Sequence, residues 1–406
     1  MSYIAPIRLS LSQQKEIKVI HHCFVASIIN SSNIQYSFLD GRTGEIPYLY
    51  LVESTIDCDT LKVEQLINTD IDHLMAALST QELPLGISNG VSGIGWTLEF
   101  LNQQQQDYDA ELCDTLDQLL INHISSPQWH GEIEYVLGLA GIATYAARRL
   151  EHSNDYRLYD KVIGHYEGLA IRVNEEQLSW PQPTNSVFRL NPEAVDDIEF
   201  NLGLAHGVPG IIAAILPALA IPQLASRVTT LLIHSCNWLI EQQITTDEHK
   251  LTFPTAVGSK RASRLGWCYG DLTIALTLAR VGQALNISSY IEVARDTAMR
   301  SSNKSASEGL INDGAFCHGS SGLITIFQLL NEILDEPQLE QAASNWLDFT
   351  LQLYKDNGLK GLLGNTDESD NHEQNSGFLM GYAGIGLALI TATTGNADWA
   401  DSLLLK

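Results

Sequence analysis

The feature that most constrains the fold of this chain is a short glycine pattern that recurs along it. Each copy has a glycine, then two or three residues and a second glycine or its replacement, then an apolar run with helical character. The six copies are NGVSGIGWTLEFL at Asn89, LGLAGIATYAARRL at Leu137, LAHGVPGIIAAIL at Leu204, CYGDLTIALTLA at Cys268, CHGSSGLITIFQLL at Cys317 and MGYAGIGLALI at Met380. The first glycines of successive copies lie 48 to 69 residues apart, which leaves room for two helices per repeat.

The segments between the copies have apolar residues at helical spacing with polar residues between them. Examples are Leu112–Ile124, Arg227–Gln243 and Gln341–Tyr354, which we predict to be outer helices. The runs after the glycines are apolar nearly all round, which is typical of inner helices with neighbours on every side. The pattern therefore predicts an all-α fold, an α/α toroid with a double ring of inner and outer helices in about six to seven pairs. The glycine-rich ends of the inner helices gather at one end of such a ring, so we expect the functional site there.

Domain organisation follows from the same pattern. Although 406 residues would suffice for two or three average domains, the repeat predicts a single toroid domain over residues 1–406. Residues 1–79 are predicted to be a helical or irregular N-terminal extension. Residues 172–202 contain prolines and aromatic residues without a helical period, which predicts a loop insertion with short strands.

Charge and hydropathy narrow the partners and the compartment. The chain has 23 basic and 48 acidic residues, a formal charge of −25, which argues against general nucleic-acid binding. It favours a cationic or neutral partner, or serves only to keep a large protein in solution. The longest apolar run, Gly210–Pro222, is shorter than the roughly 20 residues of a membrane span, and the N-terminus lacks a signal-peptide pattern. We therefore expect a cytoplasmic protein with no integral membrane span.

Three residues form a candidate zinc site. Cys268 and Cys317 occupy matching places just before the glycines of adjacent copies, and His318 follows Cys317. Thiolates and imidazole are ligands that Zn²⁺ prefers, and catalytic zinc commonly has three protein ligands with one position open. The alternative is that each cysteine is a small buried apolar residue. A Cys₂His zinc site favours activation of a thiol for alkylation or addition over hydrolysis.

Three further residues are candidates for acid–base and electrostatic roles. His206 directly precedes the glycine of its copy, at a helix entrance near the expected metal ligands, which makes it a candidate proton donor. The alternative is a histidine that only caps the helix. Arg264 lies four residues before Cys268, and Tyr269 follows it. Both are able to stabilise a developing oxyanion, and both also have structural alternatives.

The motifs GLAHGVPG, GWCYGD and CHGSSGL, in this order, resemble the lanthionine synthetase C-like family, whose bacterial members are the LanC cyclases. The resemblance extends from about Pro84 to Leu389. It implies an α/α toroid with one Zn²⁺ bound by Cys268, Cys317 and His318. The resemblance implies that the family's catalytic histidine, arginine and tyrosine correspond to His206, Arg264 and Tyr269. The chain departs from the family four residues before its second glycine motif, where Glu134 replaces an aspartate; the carboxylate is kept with a longer side chain, and Glu134 is the fourth candidate catalytic residue.

The resemblance also implies a reaction and its partners. The substrate is a precursor peptide, leader plus core, already dehydrated at serine and threonine. A peptide cysteine thiolate adds to dehydroalanine or dehydrobutyrine, the resulting enolate is protonated, and a lanthionine or methyllanthionine ring closes. Such an enzyme forms carbon–sulfur bonds and belongs to the lyase class. A lanthipeptide dehydratase and an exporter are the further partners that the resemblance implies.

Two alternatives keep the metal and change the function. One is addition of glutathione to dehydrated residues of proteins, and the other is a non-catalytic peptide-binding scaffold with structural zinc. A third, the prenyltransferase type of α/α toroid, typically has an aspartate ligand and a second subunit, and the Cys–His pair argues against it.

Overall fold

A computed structural model describes residues 3–31, 35–191, 198–245, 251–260, 262–363 and 375–406. Within them the chain is mainly helical. The α-helices are α1 (Leu11–Ile29), α2 (Arg42–Val52), α3 (Thr60–Thr80), α4 (Val91–Asn102), α5 (Asp114–His123), α6 (Leu139–Leu150), α7 (Arg157–Leu169), α8 (Val208–Ile215), α9 (Ala225–Ile240), α10 (Asp271–Leu285), α11 (Ser288–Ser302), α12 (Ala306–Gly309), α13 (Ser320–Leu334), α14 (Pro337–Asn357), α15 (Leu359–Leu363) and α16 (Tyr382–Thr394). Short 3-10 helices cover Leu216–Ala220 and Asp398–Leu403.

Each of the six predicted glycine copies begins a helix. The glycine is the N-cap residue of α4, α6, α8, α10, α13 and α16. Every residue of α4 and of α8 is buried, whereas α3 buries only five of its 21 residues. The amphipathic segments predicted as outer helices are confirmed as α5, α9 and α14. A helix that is apolar all round needs neighbours on every side, and the fully buried α4 and α8 have such neighbours.

A shared hydrogen bond closes the loop before most of these helices. The first helical residue donates its N–H to the carbonyl seven residues earlier. The pairs are Val91 to Pro84, Leu139 to Glu132, Val208 to Asn201, Ser320 to Asp313 and Tyr382 to Asn375, at 2.9 to 3.2 Å. The second glycine permits this closure, because a Cβ at Gly322 would overlap the carbonyl oxygen of Phe316. The glycine pattern therefore specifies a loop that folds back onto the first turn of its helix.

The entrance of α10 departs from the other five. Thr273 replaces the second glycine and donates its hydroxyl to the carbonyl of Gly270 at 3.3 Å. Gly270 has φ = 126°, a conformation that residues with a side chain rarely adopt. This loop, which carries Cys268 and Tyr269, therefore requires glycine for its backbone conformation.

A seventh copy, which the sequence analysis missed, precedes α2. Gly41 is its N-cap residue, and the N–H of Arg42 donates to the Gln35 carbonyl at 2.8 Å, seven residues back. A Cβ at Gly44 would overlap the carbonyl oxygen of Phe38, as in the other copies. The segment LDGRTGEIPYLYLV contains the two glycines at the expected spacing. The signal was therefore present within the region predicted as an N-terminal extension, which contains α1, α2 and α3.

The chain forms two compact units. The first contains residues 1–83, 265–267 and 299–400, and the second contains residues 84–264, 268–298 and 401–406. In the first unit α2 packs on α16 and α16 on α13, with α3 against α2 and α14 against α13. In the second unit α4, α6, α8 and α10 pack in that order, with α5, α7 and α9 against α4, α6 and α8. Each unit thus has a row of glycine-capped helices backed by amphipathic ones.

The region predicted as a loop insertion, residues 172–202, contains a hairpin. Strands β1 (Ile171–Asn174) and β2 (Gln177–Ser179) pair antiparallel, with β1 exposed and β2 buried against α9. Residues 192–197 lie outside the described part. Strands β3 (Ile244–Thr245) and β4 (Leu251–Thr252) form a second antiparallel pair. Within the described residues, no helix is both long enough and apolar enough to traverse a bilayer.

Candidate active site

Backbone hydrogen bonds join neighbouring glycine loops at one recurring position. This position is the residue two before the glycine N-cap. In the second unit the N–H of Ser88 donates to the Val136 carbonyl at 3.0 Å, and that of Ala205 to the Cys268 carbonyl at 3.3 Å. In the first unit the N–H of Cys317 donates to the Leu379 carbonyl at 2.9 Å. Residues at this position are therefore brought next to one another although they are far apart in sequence.

The two candidate cysteine ligands come together through the short segment before Cys268. The N–H of Trp267 donates to the carbonyl of Cys317 at 2.8 Å. A Cβ on Gly266 would lie 3.1 Å from the Cys317 carbonyl oxygen and 3.4 Å from the His318 Cα. The segment 265–267 therefore lies directly against the Cys317–His318 turn, and Cys268 follows Trp267 by one peptide bond. Glycine at 266 allows this close approach.

The three predicted metal ligands form one cluster. The thiol sulfurs of Cys268 and Cys317 and a ring nitrogen of His318 all lie within 4.8 Å of one another, and all three residues are partly exposed. In the part of the chain that the structure describes, no other group of His, Cys, Asp and Glu side chains meets this criterion. Around one Zn²⁺, with bonds of about 2.0–2.3 Å, tetrahedral ligand atoms lie roughly 3.3–3.8 Å apart. The upper limit of 4.8 Å in the structure is close to this range, and two cysteines with a histidine are a donor set that zinc prefers, so these residues fit zinc.

His206 is held by a buried carboxylate. Its Nδ1 lies 2.8 Å from Oε2 of Glu134, 72 residues away in sequence. The Glu134 side chain is fully buried, and its oxygens accept the N–H groups of Val136 at 2.7 Å and Leu137 at 2.6 Å. Because the Glu134 oxygens act as acceptors towards both backbone N–H groups, we assign Nδ1 of His206 as the donor in this contact. The other ring nitrogen, Nε2, is thereby directed away from Glu134, as a proton donor to a substrate requires.

Tyr269 is fixed as a hydrogen-bond donor. Burial, partly offset by a hydrogen bond from Asn201, raises the pKa of Tyr269 to about 12, so its hydroxyl keeps its proton at neutral pH. The Asn201 amide donates to the hydroxyl oxygen at 2.9 Å. The Oδ1 atom of Asn201 accepts the Gly203 N–H at 2.8 Å, which sets the amide orientation. The Tyr269 ring lies 6.3 Å from that of His206, measured between centroids.

Comparison with known proteins identifies the family and the fold of the chain. A family model described as lanthionine synthetase C-like protein matches residues 57–405. The chain belongs to the lanthionine synthetase C-like family. A curated relative, nisin biosynthesis protein NisC of Lactococcus lactis subsp. lactis, is 22% identical over 406 aligned residues, covering 93% of this chain and 91% of that protein. A solved structure titled nisin cyclase matches with a TM-score of 0.69 and 19% identity, over 97% of both chains. The match confirms the predicted α/α toroid fold class.

Among the residues carried over from the lanthionine synthetase C-like family, the structure forms two groups. Cys268, Cys317 and His318 form the cluster described above, and Glu134 contacts His206 in a second group with Tyr269. The backbone bond from Ala205 to Cys268 joins the loop of His206 to the loop of the first ligand. Arg264 is half-buried, and its role near the reacting atoms stays a prediction.

Several residues that contact this site were missed from sequence. Asn201 orients Tyr269, and Phe188 and Gln182 contact His206 from the predicted insertion. Asn201 lies six residues before the glycine cap of its copy, where Asp313 and Asn375 also make side-chain turns onto the backbone N–H two residues on. That recurrence was available as a signal for Asn201. The sequence around Phe188 and Gln182 has no comparable pattern.

Proposed function

We propose that this chain is a zinc-dependent lanthipeptide cyclase. It adds cysteine thiolates of a dehydrated precursor peptide to dehydroalanine or dehydrobutyrine, which forms lanthionine and methyllanthionine thioether rings. This is a carbon–sulfur bond-forming reaction of the lyase class, carried out by residues 1–406 as one cyclase domain. The observation that carries the proposal is the clustering of two thiols and an imidazole in a member of this family, next to the loop that bears a carboxylate-bound histidine.

The proposed metal ligands are Cys268, Cys317 and His318. Zinc bound there would lower the pKa of a substrate thiol, so that thiolate forms at neutral pH. Two thiolate ligands donate charge to the metal, so we expect activation of sulfur over attack by water. All three residues are partly exposed, which gives a peptide access to the proposed metal position.

The proposed proton donor is His206. When the thiolate attacks the β-carbon, a sulfur–carbon bond forms and the electron pair of the double bond moves to the carbonyl oxygen as an enolate. Nε2 of protonated His206 then donates its proton to the α-carbon, while Nδ1 remains bonded to Glu134. The buried carboxylate stabilises the positive charge of the protonated ring, as in other carboxylate–histidine pairs. The proton lost by the thiol and the proton gained at the α-carbon balance, so ring closure leaves the mass unchanged.

Tyr269 and Arg264 are proposed to stabilise the enolate. Because Asn201 donates to the Tyr269 oxygen, the Tyr269 proton is left to donate to another acceptor. A donor aimed at developing negative charge in a site of low dielectric contributes substantially to catalysis. Arg264 is the second candidate, four residues before the first metal ligand.

The proposed partners follow from the substrate. The precursor must already be dehydrated, so we expect a lanthipeptide dehydratase to act before this enzyme and an exporter after it, with the protein working in the cytoplasm. The formal charge of −25 suits a cationic core peptide.

The experiment is to incubate the purified protein with a dehydrated precursor, with and without glutathione. Closure of a ring leaves the mass of the peptide unchanged and removes one cysteine thiol that an alkylating reagent would otherwise modify. Transfer of glutathione adds the mass of a tripeptide, which would support that alternative. A scaffold would do neither, and would retain its partner when His206 is changed to alanine.

Metal dependence is tested in the same assay with two cysteine variants. Cys317→Ala is expected to lose both zinc and ring closure. Cys58→Ala, which removes a partly exposed cysteine outside the cluster, is expected to keep both. A Cys317→Ala protein that keeps stoichiometric zinc would contradict the proposed ligand set.

A further inference from the structure

Phe188 covers one face of the candidate proton donor. The rings of Phe188 and His206 are stacked, with centroids 3.9 Å apart and planes 19° from parallel. Phe188 comes from the segment 172–202, which supplies none of the residues carried over from the family. An aromatic face next to an imidazole limits its rotation and attracts its protonated form through a cation–π interaction.

The backbone around Phe188 is fixed at several points. The N–H of Phe188 donates to Oγ of Ser186 at 3.1 Å, and the N–H of Ser186 donates to the Pro183 carbonyl at 3.0 Å. The N–H of Val187 donates to Oε1 of Glu132 at 2.9 Å. Glu132 lies two residues before Glu134, so the loop that holds His206 at Nδ1 also anchors the segment that stacks on its ring.

The same segment holds the backbone of His206. The Gln182 amide donates to the His206 carbonyl, and Gln182 is itself buried. The N–H of Gln182 donates to the Glu199 carbonyl at 2.8 Å, which ties this residue to the far end of the segment. His206 is therefore constrained at Nδ1 by Glu134, on one ring face by Phe188 and at its carbonyl by Gln182. The ring therefore has less freedom to reorient than an imidazole held at Nδ1 alone.

We propose that Phe188 is a positioning residue that fixes the direction from which His206 delivers its proton. This inference rests on the proposed cyclase function. The α-carbon of an enolate is planar, so the face that receives the proton sets the configuration of the product. If the His206 imidazole is held in one orientation, it delivers its proton to one face of the enolate α-carbon. If the imidazole is free to tilt, it delivers the proton more slowly, and solvent then protonates the other face as well. Small displacements of a catalytic group are enough to reduce rates by one or two orders of magnitude.

The test compares three variants in the cyclisation assay. Phe188→Leu removes the aromatic face at similar volume, Phe188→Tyr keeps it, and Val187→Ala changes a neighbouring side chain that is 73% exposed. We expect Phe188→Leu to lower kcat about tenfold with KM within about twofold, and to raise the fraction of rings with the opposite α-carbon configuration. Phe188→Tyr and Val187→Ala should stay within about twofold of wild type and keep its product configuration.

A second measurement does not depend on catalysis. In the isolated protein, the stacked Phe188 ring should shift the NMR resonances of the His206 ring protons upfield. Phe188→Leu should abolish this shift, while Phe188→Tyr and Val187→Ala retain it. Should Phe188→Leu fail to fold, Gln182→Leu carries the test, with an expected loss of about threefold in kcat and the same change in product configuration.

The outcomes separate the two levels of the proposal. An active enzyme whose Phe188→Leu variant matches wild type in kcat and product configuration overturns the role of Phe188. A wild-type protein that closes no ring overturns the cyclase function itself, whatever the NMR spectra show.

Discussion

The loops before α13 and α16 have the same backbone arrangement and different chemistry. In each, the first helical residue donates to the carbonyl seven residues earlier, and the second glycine lies against the carbonyl six residues before it. At matching positions the α13 loop carries Cys317 and His318, while the α16 loop carries Leu379 and Met380. The comparison shows that loops with the same glycines and the same backbone carry different side chains at the two positions before the cap. The backbone and the chemistry of the site are therefore separable by mutation.

The largest expected difference between these loops is in metal binding. His318→Ala should remove a proposed zinc ligand, so we expect less than stoichiometric zinc and a loss of at least about a hundredfold in ring closure. Met380→Ala, at the matching position of the α16 loop, should keep its zinc and most of its activity. Zinc content per chain and the rate of ring closure measure the effect. Equal zinc content in the two variants would show that the α13 loop is not a metal-binding loop.

The next effect concerns the α6 loop, where Glu134 provides a carboxylate that supports the His206 of the neighbouring loop. Glu134→Gln removes the negative charge and places an NH₂ group against backbone N–H donors, so we expect kcat to fall about a hundredfold. Zinc content should be unchanged, because the proposed metal ligands are elsewhere. Glu134→Asp should lose less activity than Glu134→Gln, because it keeps the charge. If Glu134→Asp loses more, side-chain reach matters more here than charge.

A third effect should be independent of chemistry. Gly322→Ala places a Cβ against the Phe316 carbonyl, and Gly384→Ala places one against the Phe378 carbonyl. We expect either change to lower the free energy of unfolding by about 2 kcal/mol, because the backbone must shift. Gly168→Ala in α7 is the matched control, since a Cβ there has no atom within 4 Å, and it should be neutral or slightly stabilising. Urea unfolding measures all three, and a Gly322→Ala protein as stable as the control would contradict this explanation of the pattern.

The smallest expected effect is at Tyr269. Tyr269→Phe should slow ring closure about tenfold, because it removes the proposed donor to the enolate. Because burial raises the pKa of Tyr269 to about 12, the hydroxyl stays protonated in the folded protein throughout the neutral and mildly alkaline range. The ratio of wild-type to variant rates should therefore be the same at pH 7 and pH 9. A ratio that falls as the pH rises over this interval would indicate that the tyrosine loses its proton there.

Much of the fold was predictable because its signal is local. A glycine that must face a carbonyl six residues earlier is a constraint within one loop, so it leaves a pattern that can be recognised in each copy. The copy at Gly41 shows that the pattern was richer than the six copies predicted from sequence, since Gly44 follows at the usual spacing. The clustering of the proposed ligands was also predictable, because Cys268 and Cys317 stand at the same position relative to their glycines.

By itself the sequence determined where the glycine-capped helices begin and which residue types stand at their entrances, because both depend on contacts within about seven residues. Only the tertiary structure decided the pairing of Glu134 with His206, the hydrogen bond of Asn201 to Tyr269 and the stacking of Phe188 on the imidazole. These contacts join residues from different loops, and their partners are chosen by how the helices pack. The proposed role of Phe188 depends on its stacking on the His206 ring, and no local sequence pattern predicts a contact between these two residues.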